Sequence, residues 1–283
     1  MLYSLLKNSK IPYELTKNAI GAISANCAIL KNTFQVHGNA VPNLSIIKSM
    51  LQSNCKNIPT ILGQEVRAYG QYGEDIIIKS LLQASDGKRY DDKKVTYLDI
   101  GANHAINMSN TWLLYQDGMK GVLVEPNPDL HQDLENLRPN DKLIRGGVSV
   151  DSSTESKLYV SDHHELASFS KDFIDNYYKN RSLKNKSIKE VTVKTYDIND
   201  LIEQEFPEKK IDFLNIDVET LDYDVLVRID FSKIDIKIIC IEPSDCFLSD
   251  LEISNTDRIS NLLTSKGYRL VAVTPANMIF LAQ

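Results

Sequence analysis

The chain has 283 residues, of which 42% are hydrophobic and 25% charged, enough to bury a sizeable core as one large domain or a domain with an extension. Its net charge of −6 and pI near 5.5 argue against a general nucleic-acid-binding protein. The 4 cysteines are scattered without a C-x-x-C pair, which disfavours structural zinc and indicates reduced thiols. No apolar stretch approaches the ~20 residues of a membrane span and no signal peptide is evident, so we expect a cytoplasmic protein.

Residues 1–66 are predicted to form a helical extension that precedes a single domain over residues 67–283. Apolar residues recur at helical spacing near the start, and residues 20–30 and 44–51 are further apolar stretches. Gly38 and Pro42 interrupt the segment between them. We interpret the extension as helices that cover one side of the domain or form a homodimer contact. The alternative is a cap that recognises an acceptor.

The domain is predicted to alternate helices and strands, which implies right-handed crossovers and a mostly parallel sheet. Its first helix lies within residues 67–83, with Glu74 and Asp75 near its start, where acids favour the helix dipole. The first strand, residues 95–100, is followed by a turn at Gly101 and by Ser109, which can cap the next helix. Later helices are expected at residues 110–116, 128–137, 197–206, 221–229 and 256–265. Later strands are expected at residues 121–124, 142–148, 157–160, 191–193, 211–216, 237–241, 268–273 and 278–282, the last two as an antiparallel hairpin.

The turn after the first strand indicates a nucleoside ligand. Asp99, Gly101 and Asn103 lie at the kind of corner where open α/β sheets bind ligands, beyond the carboxyl ends of the strands. Glu125 ends the next strand, 24 residues after Gly101, where a carboxylate can accept hydrogen bonds from both ribose hydroxyls. No G-x-G-x-x-G run is present, which disfavours NAD or FAD because a pyrophosphate needs several close backbone approaches. A nucleoside without phosphate fits better, and S-adenosylmethionine is the common one.

Four segments carry a more specific resemblance. They read YGQYGED at residues 69–75, LDIGAN at 98–103, VEPNP at 124–128 and DFLNIDVE at 212–219. In this order they resemble the FkbM family of S-adenosylmethionine-dependent methyltransferases, over roughly residues 69–283. The resemblance implies a class I methyltransferase fold, with a mostly parallel seven-stranded sheet and a terminal antiparallel hairpin. It also implies O-methylation, often of sugars or other natural-product hydroxyls, with S-adenosylmethionine as cofactor.

The resemblance also assigns residues to the cofactor. The expected cofactor-binding residues are Gln71, Asp99, Gly101, Ala102, Asn103, Glu125, Pro126, Asn127, Ser149 and Asp217. Two departures from the family pattern affect loops near the site. His104 follows the first motif, where many members have a glycine soon after, and Thr220 follows Asp-Val-Glu, where glycine is usual.

Four acids end strands on one edge of the predicted sheet, namely Asp99, Glu125, Asp217 and Glu242. Each needs a partner because an unpaired buried carboxylate is costly. The cofactor amine and ribose are adequate partners for Asp99 and Glu125. For Asp217 and Glu242 three interpretations stay open: ligands of magnesium or manganese, a base for an acceptor hydroxyl, or carboxylates satisfied by backbone groups. His104 is a further candidate base or ligand, with a structural role as the alternative.

Residues 161–189 form a polar insert that contains His163, His164 and the pair Tyr177-Tyr178. Inserts near the ligand edge often shape substrate sites, so we expect acceptor binding here, with a flexible surface excursion as the alternative. For the whole chain the alternatives are another α/β enzyme acting on nucleotide sugars, such as a reductase, and a non-catalytic cofactor-binding partner protein. The absence of the second and third glycines of a G-x-G-x-x-G run argues against the first alternative. The presence of Asp99 and Glu125 argues against the second.

Overall fold

The structure is a computed structural model, and it describes residues 67–84, 95–161, 166–180, 187–245 and 253–283. The predicted extension at residues 1–66, with its homodimer contact, lies outside these ranges. The helices are α1 (Glu74–Ala84), α2 (Trp112–Gln116), α3 (His131–Leu137), α4 (Lys171–Asn180), α5 (Ile198–Glu205), α6 (Asp222–Arg228) and α7 (Asn255–Ser265). The strands are β1 (Thr96–Ile100), β2 (Lys120–Glu125), β3 (Lys142–Arg145), β4 (Gly147–Val148), β5 (Glu155–Ser161), β6 (Ala167–Ser168), β7 (Ile188–Tyr196), β8 (Lys210–Ile216), β9 (Asp235–Ile241), β10 (Tyr268–Val273) and β11 (Met278–Ala282).

Seven strands form the central sheet in the order β10-β11-β9-β8-β1-β2-β3. Strand β11 runs antiparallel to β9 and β10, and the other neighbours are parallel. From β1 the chain first adds β2 and β3 on one side and later β8 and β9 on the other, so the strand order reverses between β1 and β8. The carboxyl ends of the strands at such a point form the ligand-binding crevice of open α/β sheets. The predicted sheet and its terminal hairpin are confirmed.

Both faces of the sheet are covered by helices. Successive residues of a strand face opposite layers, so Leu98 and Leu214 join one apolar cluster whereas Tyr97 and Phe213 join the other. Helices α5, α6 and α7 contribute to the first cluster, and α1, α2 and α3 to the second. Burial on both faces explains why these strands are apolar runs in the sequence. In the described part of the chain, no helix is long and apolar enough to cross a bilayer.

The single strand predicted over residues 142–148 is wrong, because the segment forms two strands in two sheets. Strand β3 ends before two glycines, and β4 begins a second sheet with the order β4-β7-β5-β6. A Cβ on Gly146 would lie 2.5 Å from the carbonyl oxygen of Lys194, and one on Gly147 would lie 2.5 Å from the ring of Phe169. The two glycines therefore let β7 and the insert pack closely against the edge of the central sheet.

The described part of the insert has structure of its own. Strand β6 pairs antiparallel with β5, and α4 follows it. Leu166, Phe173 and Tyr178 are buried together in a small apolar cluster. A segment with its own buried cluster is a folded part of the domain, which argues against the flexible surface excursion. His163 and His164 lie outside the described residues.

Candidate active site

A cavity of ≈ 320 Å³ opens at the carboxyl ends of β1, β2, β8 and β9, within the usual range of small-ligand pockets, about 300–1,000 Å³. Most of the predicted site residues line it. They are Gln71, Asp99, Gly101, Ala102, Asn103, Glu125, Pro126, Asp217 and Glu242. The point where the strand order reverses therefore carries the cavity, as the topology of the sheet predicts.

Gly101 lets β1 leave the sheet beside the end of β8. Its φ is +83°, a conformation that favours glycine, and a Cβ there would overlap the carbonyl oxygen of Asp217. The N–H groups of Gly101 and Ala102 both donate to the carbonyl oxygen of Val124, at 2.9 and 3.1 Å. The turn is thereby tied to β2 on one side and packed against β8 on the other.

Glu125 is held in one orientation by the backbone around it. Its side chain is 3% exposed, and its two carboxyl oxygens accept the N–H groups of Asn103 and Asn127, each at 2.7 Å. Burial raises the pKa of Glu125 to about 7, although the two N–H donors act in the opposite direction. Each oxygen keeps a second lone pair, so the carboxylate can also accept hydrogen bonds from a ligand in the cavity.

Asp99 finds its partners within the protein, which corrects the expectation that the cofactor supplies them. Its carboxylate accepts from the hydroxyl of Thr111 at 2.6 Å and from the amide of Asn215 at 2.9 Å. Thr111 in turn accepts from the guanidinium of Arg138 at 2.9 Å. No local sequence pattern reveals these partners, because the hydrogen bonds join residues that are distant in sequence. Asp99 therefore positions the polar groups beside the Gly101 turn.

Asp217 and Glu242 lie side by side because they follow Ile216 and Ile241, which are paired across the parallel strands β8 and β9. Their carboxyl groups share a hydrogen bond. Burial, together with the charges of Asp217 and Glu219, raises the pKa of Glu242 to about 11, whereas burial raises that of Asp217 only to about 6. Two carboxyl groups in hydrogen-bond contact disfavour double ionisation, so the pair shares a proton, with one group protonated and the other ionised.

The structure does not support the predicted magnesium or manganese site at Asp217 and Glu242. Among the described residues, no three His, Cys, Asp or Glu side chains are grouped so that they could hold a metal ion. The shared proton already removes the repulsion between two carboxylates that a cation would otherwise have to offset. The two carboxyl groups suffice to share a proton, whereas a divalent cation takes about six oxygen ligands.

Two further acids lie beside this pair. Glu219 lines the cavity, and burial with the neighbouring charge of Asp217 raises its pKa well above the usual value. Asp222, in the first turn of α6, is fully buried and accepts the N–H groups of Val218 and Thr220 at 2.9 and 3.1 Å. Burial raises the pKa of Asp222 to about 8. Asp222 thus holds the loop that follows β8.

Three predicted site residues are not part of the cavity wall. His104 Nδ1 accepts the N–H groups of two residues further along its own turn, each at 3.2 Å, which is a structural role. The hydroxyl of Ser149 donates to Asp151 at 3.1 Å, and the side-chain oxygen of Asn127 accepts the N–H of Asp129 at 3.1 Å. Spacing in the sequence placed these residues near the site but could not give the direction of their side chains.

The insert contributes aromatic side chains to the cavity. Phe169, Phe173 and Tyr177 line it. The hydroxyl of Ser168 donates to the carbonyl oxygen of Glu219 at 3.2 Å, which joins the insert to the loop after β8. The wall formed by the insert is therefore connected to the loop that carries the acids.

A family model described as the methyltransferase FkbM domain matches residues 99–270. The chain belongs to the FkbM methyltransferase family. The matched range spans the Gly101 turn, Glu125 and the Asp217–Glu242 pair, and the predicted S-adenosylmethionine-dependent methyltransferase is confirmed at the level of the family. No curated protein matches the chain at a significant level.

Solved structures with a similar fold are distant in sequence. An O-methyltransferase from Bacillus cereus, in complex with SAH, is 12% identical, with 90% of this chain and 97% of that chain covered and a TM-score of 0.40. An FkbM methyltransferase from Methylobacillus flagellatus KT is 16% identical, with a TM-score of 0.37. That comparison covers 76% of this chain, which spans about half (48%) of the other.

The departure from the FkbM pattern at Thr220 coincides with an unfavourable backbone conformation. Glu219 and Thr220 have φ values of +54° and +87°. For a β-branched residue such a conformation costs on the order of 1–3 kcal/mol. The hydrogen bonds from this loop to Asp222 and from Ser168 offset that cost, so the loop after β8 is held in a strained shape next to the acids.

We predict that Thr220→Gly stabilises the protein by about 1 kcal/mol, because relief of strain exceeds the entropy that glycine adds to the unfolded chain, about 0.5–1 kcal/mol. The free energy of unfolding in urea measures the effect. Thr192→Gly, at an exposed position of β7, is the control and should destabilise. Equal destabilisation by both substitutions would show that Thr220 is not strained.

The shared proton predicts a dependence of stability on pH. Because the pKa of Glu242 rises from 4.5 to about 11 on folding, the native protein holds a proton that the unfolded chain releases. The resulting stabilisation is full below about pH 4.5 and is lost as the pH rises through about 11. Between about pH 8 and about pH 10 the free energy of unfolding should fall by up to about 1.4 kcal/mol per pH unit for this proton.

The variant Glu242→Gln keeps a donor for Asp217 but cannot titrate, so its stability should fall less steeply over the same range. Urea unfolding at several pH values compares the two slopes. Glu135→Gln, at an exposed position of α3, should retain the slope of the unaltered protein. Identical slopes for all three proteins would mean that Glu242 is already ionised in the native state.

Proposed function

We propose that this chain transfers a methyl group from S-adenosylmethionine to a hydroxyl oxygen of a sugar, a polysaccharide precursor or a related natural product. The observation that carries the proposal is the Asp217–Glu242 pair, two carboxyl groups side by side on the cavity wall that share a hydrogen bond. A hydroxyl nucleophile needs a group that takes its proton, and an ionised carboxylate can do so.

The residues around the Gly101 turn fit the cofactor. Glu125 has lone pairs available for the two ribose hydroxyls, and Gly101 allows close approach of a ligand to the backbone. Gln71 lies on the cavity wall. From the family resemblance we assign it to the methionyl end of the cofactor. When bound, the cofactor supplies a methyl group on a positively charged sulfur. Acids on the wall of the cavity complement that charge.

The chain's own residues then have two tasks. The cavity aligns the acceptor oxygen, the methyl carbon and the sulfur, which is catalysis by positioning. Asp217 takes the hydroxyl proton as the carbon–oxygen bond forms and the carbon–sulfur bond breaks. The hydrogen bond from Glu242 keeps the pKa of Asp217 near 6, so that Asp217 is ionised when the acceptor arrives.

The lining of the cavity supports an uncharged acceptor. Among the described residues that form the wall there is no Lys, Arg or His, whereas five carboxyl groups are present, on Asp99, Glu125, Asp217, Glu219 and Glu242. The described part of the wall thus offers an anionic acceptor no cationic partner, and the aromatic side chains of the insert offer an apolar surface. Sugars and related natural products combine hydroxyl groups with apolar faces, which is why we favour them.

Glu125→Ala should weaken binding of S-adenosylhomocysteine about tenfold to hundredfold, because hydrogen bonds to a charged group contribute about 1.5–3 kcal/mol. Calorimetric titration of the purified protein measures the affinity, and thermal unfolding shows whether the variant remains folded. Glu208→Ala, at an exposed position that does not line the cavity, is the matched control. Unchanged affinity in folded Glu125→Ala would rule out the ribose assignment.

Asp217→Asn should abolish most methyl transfer to the acceptor found by screening sugars and natural-product alcohols with radiolabelled S-adenosylmethionine. The unaltered enzyme should gain kcat/KM as the pH rises through about 6, the pKa of Asp217, and the variant should lose this rise. Asp224→Asn, at an exposed position of α6, should behave like the unaltered enzyme. Activity should survive exhaustive chelation. Loss on chelation and recovery with magnesium would instead restore the metal interpretation.

A further inference from the structure

Glu219 lines the cavity, but the proposed reaction gives it no task. Its side chain is partly exposed, so a group bound in the cavity can reach the carboxyl oxygens. Among the described residues, this carboxyl group has no hydrogen-bond or ion-pair partner. The other acids of the wall differ, because Asp99 and Glu125 accept hydrogen bonds from the protein and Asp217 shares one with Glu242. Of the five carboxyl groups on the described wall, that of Glu219 is therefore left for a ligand.

The backbone around Glu219 is held on both sides. Its carbonyl oxygen accepts the hydroxyl of Ser168 at 3.2 Å, and the N–H groups of the flanking residues Val218 and Thr220 both donate to Asp222. These hydrogen bonds fix the residue in a conformation with a φ of +54°. They tie the loop to the insert and to α6, so a fixed backbone presents the Glu219 side chain to the cavity.

The charged groups that act on Glu219 are other acids. Burial, together with the charges of Asp217 and Asp222, raises the pKa of Glu219 well above its usual value, and Glu219 in turn raises the pKa of Glu242. The described residues of the wall include no Lys, Arg or His that could offset these carboxyl groups. A ligand with a positive charge would therefore be stabilised beside them, whereas an uncharged ligand of the same shape would not.

In the proposed function, the positive charge of the cofactor belongs on this part of the wall. Asp217 contacts the acceptor hydroxyl as its base, and the methyl group has to lie between that oxygen and the sulfur. Glu219 is two residues further along the chain and interacts with the charge of Asp217. Both carboxyl groups are thus close to the sulfonium, which loses its charge when the methyl group is transferred.

We propose that Glu219 makes the cavity distinguish S-adenosylmethionine from its product, S-adenosylhomocysteine, by the charge on the sulfur. The two ligands share their adenosyl and amino-acid parts, so contacts elsewhere in the cavity contribute equally to both. Attraction between unit charges about 8 Å apart near a protein surface corresponds to about thirtyfold in affinity. Because Glu219 is partly exposed, solvent screening reduces the effect, and we expect a preference of about tenfold for the cofactor. This inference rests on the cofactor and the base named in the proposed function, and it adds a residue that favours release of the product.

The test measures the affinity of the full chain for three ligands by calorimetric titration. They are S-adenosylmethionine, S-adenosylhomocysteine and sinefungin, which carries an ammonium group where the cofactor carries the methylsulfonium. The unaltered protein should bind both charged ligands about tenfold more tightly than S-adenosylhomocysteine. In Glu219→Gln this preference should largely disappear, with the affinity for S-adenosylhomocysteine unchanged. Glu219→Asp keeps the charge and should keep most of the preference.

Glu208→Gln is the matched control, because Glu208 is an exposed acid that does not line the cavity. It should retain the whole preference, and thermal unfolding shows whether each variant remains folded. A preference that is lost in Glu219→Gln but kept in Glu219→Asp and Glu208→Gln supports the proposal.

The other outcomes separate this proposal from the proposed function. Equal affinity of the unaltered protein for the three ligands overturns the role of Glu219, whether or not the variants fold. A preference for S-adenosylmethionine that sinefungin does not share would reflect contact with the methyl group and also overturn it. So would an undiminished preference in Glu219→Gln, or an equal loss for all three ligands, which indicates a structural role. If the unaltered protein binds none of the ligands, the cofactor assignment itself fails.

Discussion

The buried carboxylate of Asp99 is the constraint on which the arrangement of the site depends. It is 2% exposed and has to be compensated inside the protein. Thr111 and Asn215 donate to it directly, and Arg138, itself 1% exposed, donates to Thr111. Arg138 is in turn paired with Asp141 at 2.8 Å. Because the partners come from β8, the start of α2 and the end of α3, one buried charge sets how these elements meet around the Gly101 turn.

The other acids of the same sheet edge differ from one another through their surroundings. Glu125 faces two N–H donors and has a pKa of about 7, whereas Asp217 has a pKa of about 6 and its neighbour Glu242 one of about 11. Burial acts on all three. The charges of neighbouring acids raise the pKa of Glu242 further, whereas the hydrogen bond from Glu242 lowers the pKa of Asp217. Residues of one chemical type thus differ in how readily they hold a proton.

Much of the fold could be predicted from the sequence, because strands buried on both faces are apolar runs and helices recur between them. The strand over residues 142–148 was misjudged, since the contacts that divide it at Gly146 come from β7, far away in sequence. The Gly101 turn and the adjacency of Asp217 and Glu242 follow from strand ends alone. The side-chain directions of His104 and Ser149, however, depend on hydrogen bonds that no spacing reveals.

The FkbM match over residues 99–270 includes the Gly101 turn and the pair Asp217 and Glu242, but residues outside the match complete the cavity. Gln71 precedes the matched range and Asn277 follows it. The two segments meet where Asn277 donates to Glu74, so the start of α1 and the terminal hairpin depend on each other at this point. A buried carboxylate again decides the direction of an amide, as Asp99 does for Asn215. Acceptor-only carboxylates thus fix the orientation of two buried amides, those of Asn215 and Asn277.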